Sequence, residues 1–599
     1  MRKIYDAIII GSGAAAFSVA DWLYKENITD LAIVTENRLS GTSRNTGSDK
    51  QTYYKLSMDG FSQDSPYKMA SDIFKSGSCD GEKLYLQALH SSRCFLRLCD
   101  YGVGFPQDEF GGFPGYKTDH DNTVRATSIG PLTSKVMTER LEEVVIKKNH
   151  TPLFDNRQAI EILKDGNKAI GITVLNTETN DFEGFYGRNI ICATGAPACI
   201  YENSVYPESQ HGMTGVLLDA GVRLCNFSQW QYGMASVDFR WNVSGSFMQV
   251  VPRFVSMDEN GNEAEFLNAY FSDKMEMFDN IFLKGYQWPF SYERAELSSR
   301  IDIAVHNEIK NGKRVYLDYT KNPEGFSKDL LGDEAREYLF KNNAFGKTPI
   351  ERLEKLNPKA IDVYKRQSID LYTQMLRIAV CAQHNNGGVL TDNNYETDVK
   401  GLYVIGEAAG TFGLARPGGT ALNDTQVGGL LCAKHIKSKS GVESASDIEI
   451  DASEKYKGFE IDEKVDYSFI KTKMSNFAAF LRNKEECEQL LSEINDILSA
   501  LPFKHRSLSD YFYDKDMLIS AKALLETIIG EMSLTGSRGG AVYIENDEVI
   551  KENAYYRDFL TITDCGKVSF LEVRAVPIIN EPFEGYLKNI LENGYGKKN

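Results

Sequence analysis

Near the N-terminus an apolar run, Tyr5 to Ile10, breaks at Gly11-Ser12-Gly13-Ala14-Ala15-Ala16 and continues into Phe17-Ser-Val-Ala-Asp-Trp-Leu. The run reads as a buried strand, the glycines as a tight turn and the rest as a helix, which is the opening unit of a doubly wound parallel sheet. Gly11 permits the turn, Gly13 lets the backbone approach a phosphate, and Ala16 keeps helix and strand close. A second apolar run, Leu31 to Val34, ends at Glu36, the distance at which an acidic side chain meets ribose hydroxyls. Gly11, Ser12, Gly13, Ala14, Ala15 and Glu36 are therefore expected to hold a dinucleotide with an unphosphorylated ribose. About four hundred residues later, Arg416-Pro-Gly-Gly-Thr-Ala-Leu-Asn-Asp-Thr-Gln-Val-Gly-Gly is expected to close on the same ligand from the other side.

A chain of 599 residues exceeds a single core, and its 42% hydrophobic content supplies enough apolar material for several. The net charge of −17 argues against nucleic acid, whose phosphates need clustered Lys and Arg. Met1-Arg-Lys-Ile-Tyr-Asp runs straight into the first strand and no apolar run reaches membrane-span length, so a cytoplasmic protein with no membrane span is expected. The ten cysteines form no Cys-x-x-Cys pair, so no metal site is expected and any iron-sulfur carrier would be a separate protein.

Strands and helices alternate from residue 1 to about 230 and close on Asn189-Ile-Ile-Cys-Ala193-Thr194-Gly195, a buried strand ending in a glycine turn. Residues 231–369 change to aromatic, turn-rich strands followed by a helix from Arg300, and read as an inserted α+β capping domain. Gly401-Leu-Tyr-Val-Ile-Gly-Glu407-Ala-Ala-Gly410 restores the first pattern, so the nucleotide-binding domain is expected to be discontinuous, 1–230 and 370–440. Heptad-like spacing from Phe477 to Leu501 and from Leu518 to Ile529 marks 450–599 as a mainly helical C-terminal domain with short strands. The fold class is α/β: a Rossmann-like domain, a cap and a helical domain.

In order and spacing these segments resemble the flavoprotein subunits of succinate dehydrogenase and fumarate reductase, together with L-aspartate oxidase. The resemblance spans nearly the whole chain and rests on the stretches above, on Gln383-His384-Asn-Asn-Gly-Gly388 and on Ser537-Arg-Gly-Gly540. It implies FAD, with Ala193, Thr194 and Gly195, Glu407 near the ribityl chain, and Gly419, Ala421 and Leu422 at the start of a helix aimed at the flavin. A helix N-terminus there would stabilise the negative charge of a reduced flavin. The resemblance also puts His384 and Arg416 where the family anchors a substrate carboxylate, the guanidinium by two parallel hydrogen bonds and the imidazole as a donor at the other end.

Three departures matter. Where covalent members of the family carry Arg-Ser-His-Thr, this chain has Ser43-Arg44-Asn45-Thr46-Gly47. Thr46 cannot make the linkage, so Arg44 and Thr46 are expected beside a non-covalent FAD. The family's Gln-Phe-His-Pro-Thr loop appears as Gln229-Trp230-Gln231-Tyr232-Gly233. Gln231 can donate to substrate but carries no charge, and the flanking aromatics fit either a larger substrate or a packed interface between lobes. The family's proton-donating arginine falls, by register, at Ser298, with Arg300 as the expected donor and Arg294, Glu293, Glu296 and Tyr232 as alternatives.

The reaction expected is hydride transfer between flavin N5 and a carbon next to a carboxylate or similar acceptor, either C=C reduction or the reverse dehydrogenation. His384, Arg416 and Arg300 are the expected catalytic residues, and Gln231, His384 and Arg416 the substrate-binding ones. Two alternatives remain open here: an amino-acid oxidase, and the flavoprotein component of an electron-transfer complex. The substrate expected is a small molecule, a carboxylic acid.

Overall fold

The computed structural model describes residues 3–59, 63–118, 121–439 and 455–578. A five-stranded parallel sheet runs in the order Leu402–Val404, Ile190–Cys192, Ala7–Ile10, Leu31–Val34, Leu153–Phe154. Its central strands are buried along their whole length, which is why they read as unbroken apolar runs. Helix Ala14–Lys25 leaves the strand Ala7–Ile10, and helix Thr420–Lys439 packs across it. Gly429 makes the close crossing possible, since a Cβ there would stand 2.9 Å from both Ser18 Oγ and Val19 N. Buried Arg97 ties the crossing together, donating to Ser18 Oγ at 2.9 Å, Gln426 Oε1 at 2.6 Å and Asp21 Oδ2 at 3.1 Å.

A second, six-stranded sheet has the order Trp241–Asn242, Trp230–Ser236, Leu376–Asn385, Arg314–Asp318, Arg253–Met257, Glu263–Ala264. The strand Leu376–Asn385, assigned from sequence to the nucleotide-binding part, is instead paired antiparallel with Trp230–Ser236 along nearly its full length. His384 therefore rides on the sheet of the inserted segment, at its junction with the first sheet. All seven residues of Trp230–Ser236 are buried, so this strand gives no alternating pattern.

Helices Ser468–Phe477, Lys484–Ser499 and Leu508–Thr535 form the helical part. The segment after them does not stand apart, because strand Phe559–Asp564 pairs with Leu224–Cys225. A buried polar cluster fastens it there. Glu531, 0% exposed, accepts hydrogen bonds from Ser228, Tyr543 and Thr561 and pairs with Arg538, 1% exposed, at 3.2 Å. Among the described residues no helix is long and apolar enough to cross a membrane.

Burial pushes the Glu531 carboxyl up, but the Arg538 charge and three hydroxyl donors outweigh it and hold the group below its ordinary range. A depressed folded pKa stabilises fully above the unfolded value of about 4.3 and is lost as pH falls through the folded one. Arg538→Ala leaves the carboxylate buried and uncompensated, and is expected to cost about 3–5 kcal/mol in urea unfolding at neutral pH, with a smaller difference from wild type below about pH 4. A loss under about 1 kcal/mol at neutral pH would show that the cluster is not what fastens this segment.

Candidate active site

The glycine turn, the Arg416 stretch, the inserted segment and the C-terminal helix all line one cavity of about 950 Å³. At one end lie Gly11, Ser12, Gly13, Ala14 and Ala15 at the N-terminus of helix Ala14–Lys25. Gly13 caps that helix with no side-chain bond, leaving amides turned to the cavity; Ser43 Oγ accepts from Ala14 N at 3.1 Å. Gly11 has φ +111°, and a Cβ on it would sit 2.6 Å from Ala193 O. Ala193, Thr194 and Gly195 line the same region, with Thr194 Oγ1 buried and unbonded. Glu36 lies at the end of its strand, where burial pushes its carboxyl up to about 7.

Gly419, Ala421 and Leu422 line the cavity at the N-terminus of helix Thr420–Lys439. Gly419 has φ +93°, and a Cβ on it would stand 2.9 Å from Thr52 O. Two helix N-termini and two backbone positions closed to side chains thus face one cavity, a donor set suited to a pyrophosphate and an anionic ring system. FAD fits these residues. Thr46 also lines the cavity, its hydroxyl donating to Val205 O at 3.0 Å.

Glu407, His384 and Arg416 converge further along. Glu407 accepts from the Tyr206 hydroxyl and from Asn385 N at 3.0 Å. Burial raises its carboxyl to about 7 against those two hydrogen bonds and the Arg416 charge. His384 Nε2 is 3.8 Å from Glu407, yet this is no ion pair: burial and the Arg416 charge drive the imidazole well below its ordinary pKa, so it is neutral. Its Nδ1 lies 3.1 Å from Asn386 Oδ1, and Asn386 spends its amide N–H on Gly413 O. The histidine proton therefore sits on Nδ1, and the buried Nε2 presents a lone pair. That differs from the sequence expectation of a histidine donor, because Asn386 fixes the tautomer from behind. Arg416, 7% exposed, donates to Pro417 O at 3.3 Å and Thr420 Oγ1 at 3.4 Å, and its guanidinium lies 5.9 Å from the Phe412 ring.

Three expected site residues are placed elsewhere. Arg300 does not line the cavity; it pairs with Glu296 at 2.9 Å and lies over Phe271, a helix-start position near solvent. Its alternatives are also outside: Glu293 pairs with Arg557, and Tyr232 is buried against Tyr201 and Arg482. Arg44 turns away to Glu142 at 2.6 Å. Gln231 lies behind the cavity wall, its amide 3.4 Å from Arg416 O, so it supports the backbone of that arginine instead of facing the cavity. Trp230 and Tyr232 are core residues, packed edge-on against Tyr201.

Several lining residues carry no local sequence signal. Tyr206 holds Glu407, and Gln210 bonds Thr194 O at 2.6 Å, both from a loop. Phe512, Tyr513 and Asp516 come from the C-terminal helix, with Tyr513 stacked 3.8 Å from His211. The cap supplies Gln249, Phe282, Tyr286, Trp288 and Tyr338.

Residues 6–422 match the FAD binding domain family. The chain belongs to that family. It is 23% identical to an uncharacterized FAD-dependent oxidoreductase of Methanocaldococcus jannaschii over 92% of this chain and 95% of the relative. It is 25% identical to a chain of the fumarate reductase (CoM/CoB) of Methanothermobacter marburgensis, over 83% of this chain and 85% of that relative. Its fold is that of a quinol-fumarate reductase chain, with TM-score 0.73, 15% identity, and 97% and 100% of the two chains covered. The chain is an FAD-dependent oxidoreductase of the FAD binding domain family, with the fold of the fumarate reductase flavoprotein chains.

Gly11→Ala places a methyl against Ala193 O in a left-handed backbone, so the variant is expected to fold with native circular dichroism but to purify with less than about a tenth of the wild-type flavin, read from visible absorbance. Full flavin content in that variant would remove the turn from the cofactor site.

Proposed function

We propose that this protein transfers a hydride between FAD and the carbon chain of a carboxylic acid, in the reducing direction saturating a C=C bond conjugated with the carboxylate. The observation that carries this reading is Arg416, a buried guanidinium in the wall of the cavity that the two helix N-termini share. FAD, when bound, supplies or accepts the hydride at N5. Gly11, Gly13, Glu36, Thr194, Glu407 and Gly419 hold it non-covalently, since the stretch around Thr46 contains no histidine.

Arg416 binds the carboxylate and orients the acid, and Thr420 Oγ1 and Pro417 O fix the direction of the guanidinium. His384 offers Nε2 as an acceptor, and an arriving carboxylate favours protonation of that nitrogen, which turns it into a second donor. Acid binding then takes up a proton. Glu407, titrating about 7, and its Tyr206 partner are the proton-holding pair nearest the site. The cap side chains exclude water. Any iron-sulfur carrier that delivers the electrons would be a separate protein, since the scattered cysteines of this chain form no Cys-x-x-Cys pair.

The Nε2 lone pair supports a second reading. An α-amino acid held by Arg416 through its carboxylate would satisfy that acceptor with an ammonium N–H, and hydrogen peroxide formed from amino acids under air would select amino-acid oxidation over C=C reduction.

The test of the first reading is anaerobic oxidation of a reduced dye by unsaturated acids. Arg416→Ala is expected to keep its flavin and lose about 100-fold or more in turnover. A variant that loses flavin instead would assign Arg416 to the cofactor. Acid precipitation is expected to release all the flavin into the supernatant; yellow protein in the pellet would refute non-covalent binding.

A further inference from the structure

Residues of the inserted segment give the cavity wall a character that a dicarboxylate does not match. Phe282, Tyr286, Trp288 and Tyr338 line it, with Phe282 at 6.1 Å from Tyr286 and 5.5 Å from Tyr338, edge-on in both cases. Trp288 neighbours the strand that carries His384: a Cβ on Gly233 would stand 3.0 Å from both Trp288 Cε3 and Gln383 Nε2. Its backbone is held from behind by Lys284, whose Nζ donates to Trp288 O at 3.0 Å and pairs with buried Asp302 at 2.7 Å.

The polar groups of this wall already bond one another. Asn242 donates to Gln383, and Gln249 Oε1 accepts from Tyr338 at 3.0 Å. The one charged side chain that the inserted segment contributes among the described lining residues is a carboxylate, Glu334, which accepts from the Tyr286 hydroxyl near the exposed mouth. A second carboxylate on the substrate would leave water for aromatic rings and meet Glu334, while the lining cations Lys50, Lys117 and Arg157 all come from outside the inserted segment. A planar apolar group meets ring faces and edges instead.

We infer that the acid taken at Arg416 carries a single carboxylate and, at its other end, an aromatic group lodged among Phe282, Tyr286, Trp288 and Tyr338: a 3-arylpropanoid acid, not a dicarboxylate. This rests on the carboxylate-binding role proposed for Arg416. The aromatics that flank Gln231 in sequence play no part in it, being core residues.

Unreactive acids test the assignment without turnover. The flavin-loaded protein is titrated with 3-phenylpropanoate, butanoate and succinate, followed by calorimetry and by flavin difference absorbance. 3-Phenylpropanoate is expected to bind about tenfold or more tighter than either of the others, the gain of burying a phenyl ring. Tyr286→Ala, at the half-exposed mouth, and Phe282→Leu are each expected to weaken 3-phenylpropanoate about threefold or more at unchanged flavin content. Succinate binding as tightly as 3-phenylpropanoate, or no binding of any of the three at millimolar concentration, overturns the inference. Arg416→Ala separates it from the reading beneath it: loss of affinity for all three acids supports the anchor, whereas retained 3-phenylpropanoate affinity removes Arg416 as the anchor while leaving the aromatic preference standing.

Discussion

The structure depends on the close crossing of helices Ala14–Lys25 and Thr420–Lys439. Each helix has its N-terminus at the cavity, and together they bring two remote parts of the chain to one ligand. The crossing is steric before it is electrostatic: Gly429 removes the side chain that would hold the backbones apart. Arg97 then fills the seam, and its bonds to Ser18, Asp21 and Gln426 satisfy polar groups that burial would otherwise leave costly. Because both dipoles point into the same space, the electrostatic character of the site follows from packing.

On that frame the acid-binding residues are held by backbone contacts more than by one another. Gln231 braces Arg416 through its carbonyl, and Asn386 sets the tautomer of His384. Glu407 stays attached to the strand of His384 through Asn385 N. A neutral imidazole, a carboxyl that titrates near neutrality and a fixed guanidinium give the site one permanent charge and two groups whose charge answers to what arrives.

Much of this is legible in sequence because its physics is local. Strand, glycine turn and helix are contiguous, and Gly11 and Gly419 adopt positive φ angles, +111° and +93°, that favour glycine. Short motifs mark His384 and Arg416, and both line the cavity. Sequence reasoning fails where burial erases the pattern or a tertiary partner decides the outcome. Trp230–Ser236 is buried on both faces, so nothing in its spacing tells core aromatics from lining ones. Arg44 and Arg300 look like ligand-binding cations until Glu142 and Glu296 claim them. Tyr206 and Asp516 reach the site from a loop and from a helix of the C-terminal part, at positions no local motif marks.

The pairing of Leu224–Cys225 with Phe559–Asp564, and the arrival of Phe512, Tyr513 and Asp516 at the cavity, have a consequence for biosynthesis. During translation the parallel sheet and its glycine turn are complete long before helix Leu508–Thr535 has left the ribosome. Until then one end of the cavity lacks its wall, and the loop to be closed spans more than half the chain. A nascent polypeptide can thus assemble the glycine turn early, while the cavity gains its last wall only once helix Leu508–Thr535 has emerged.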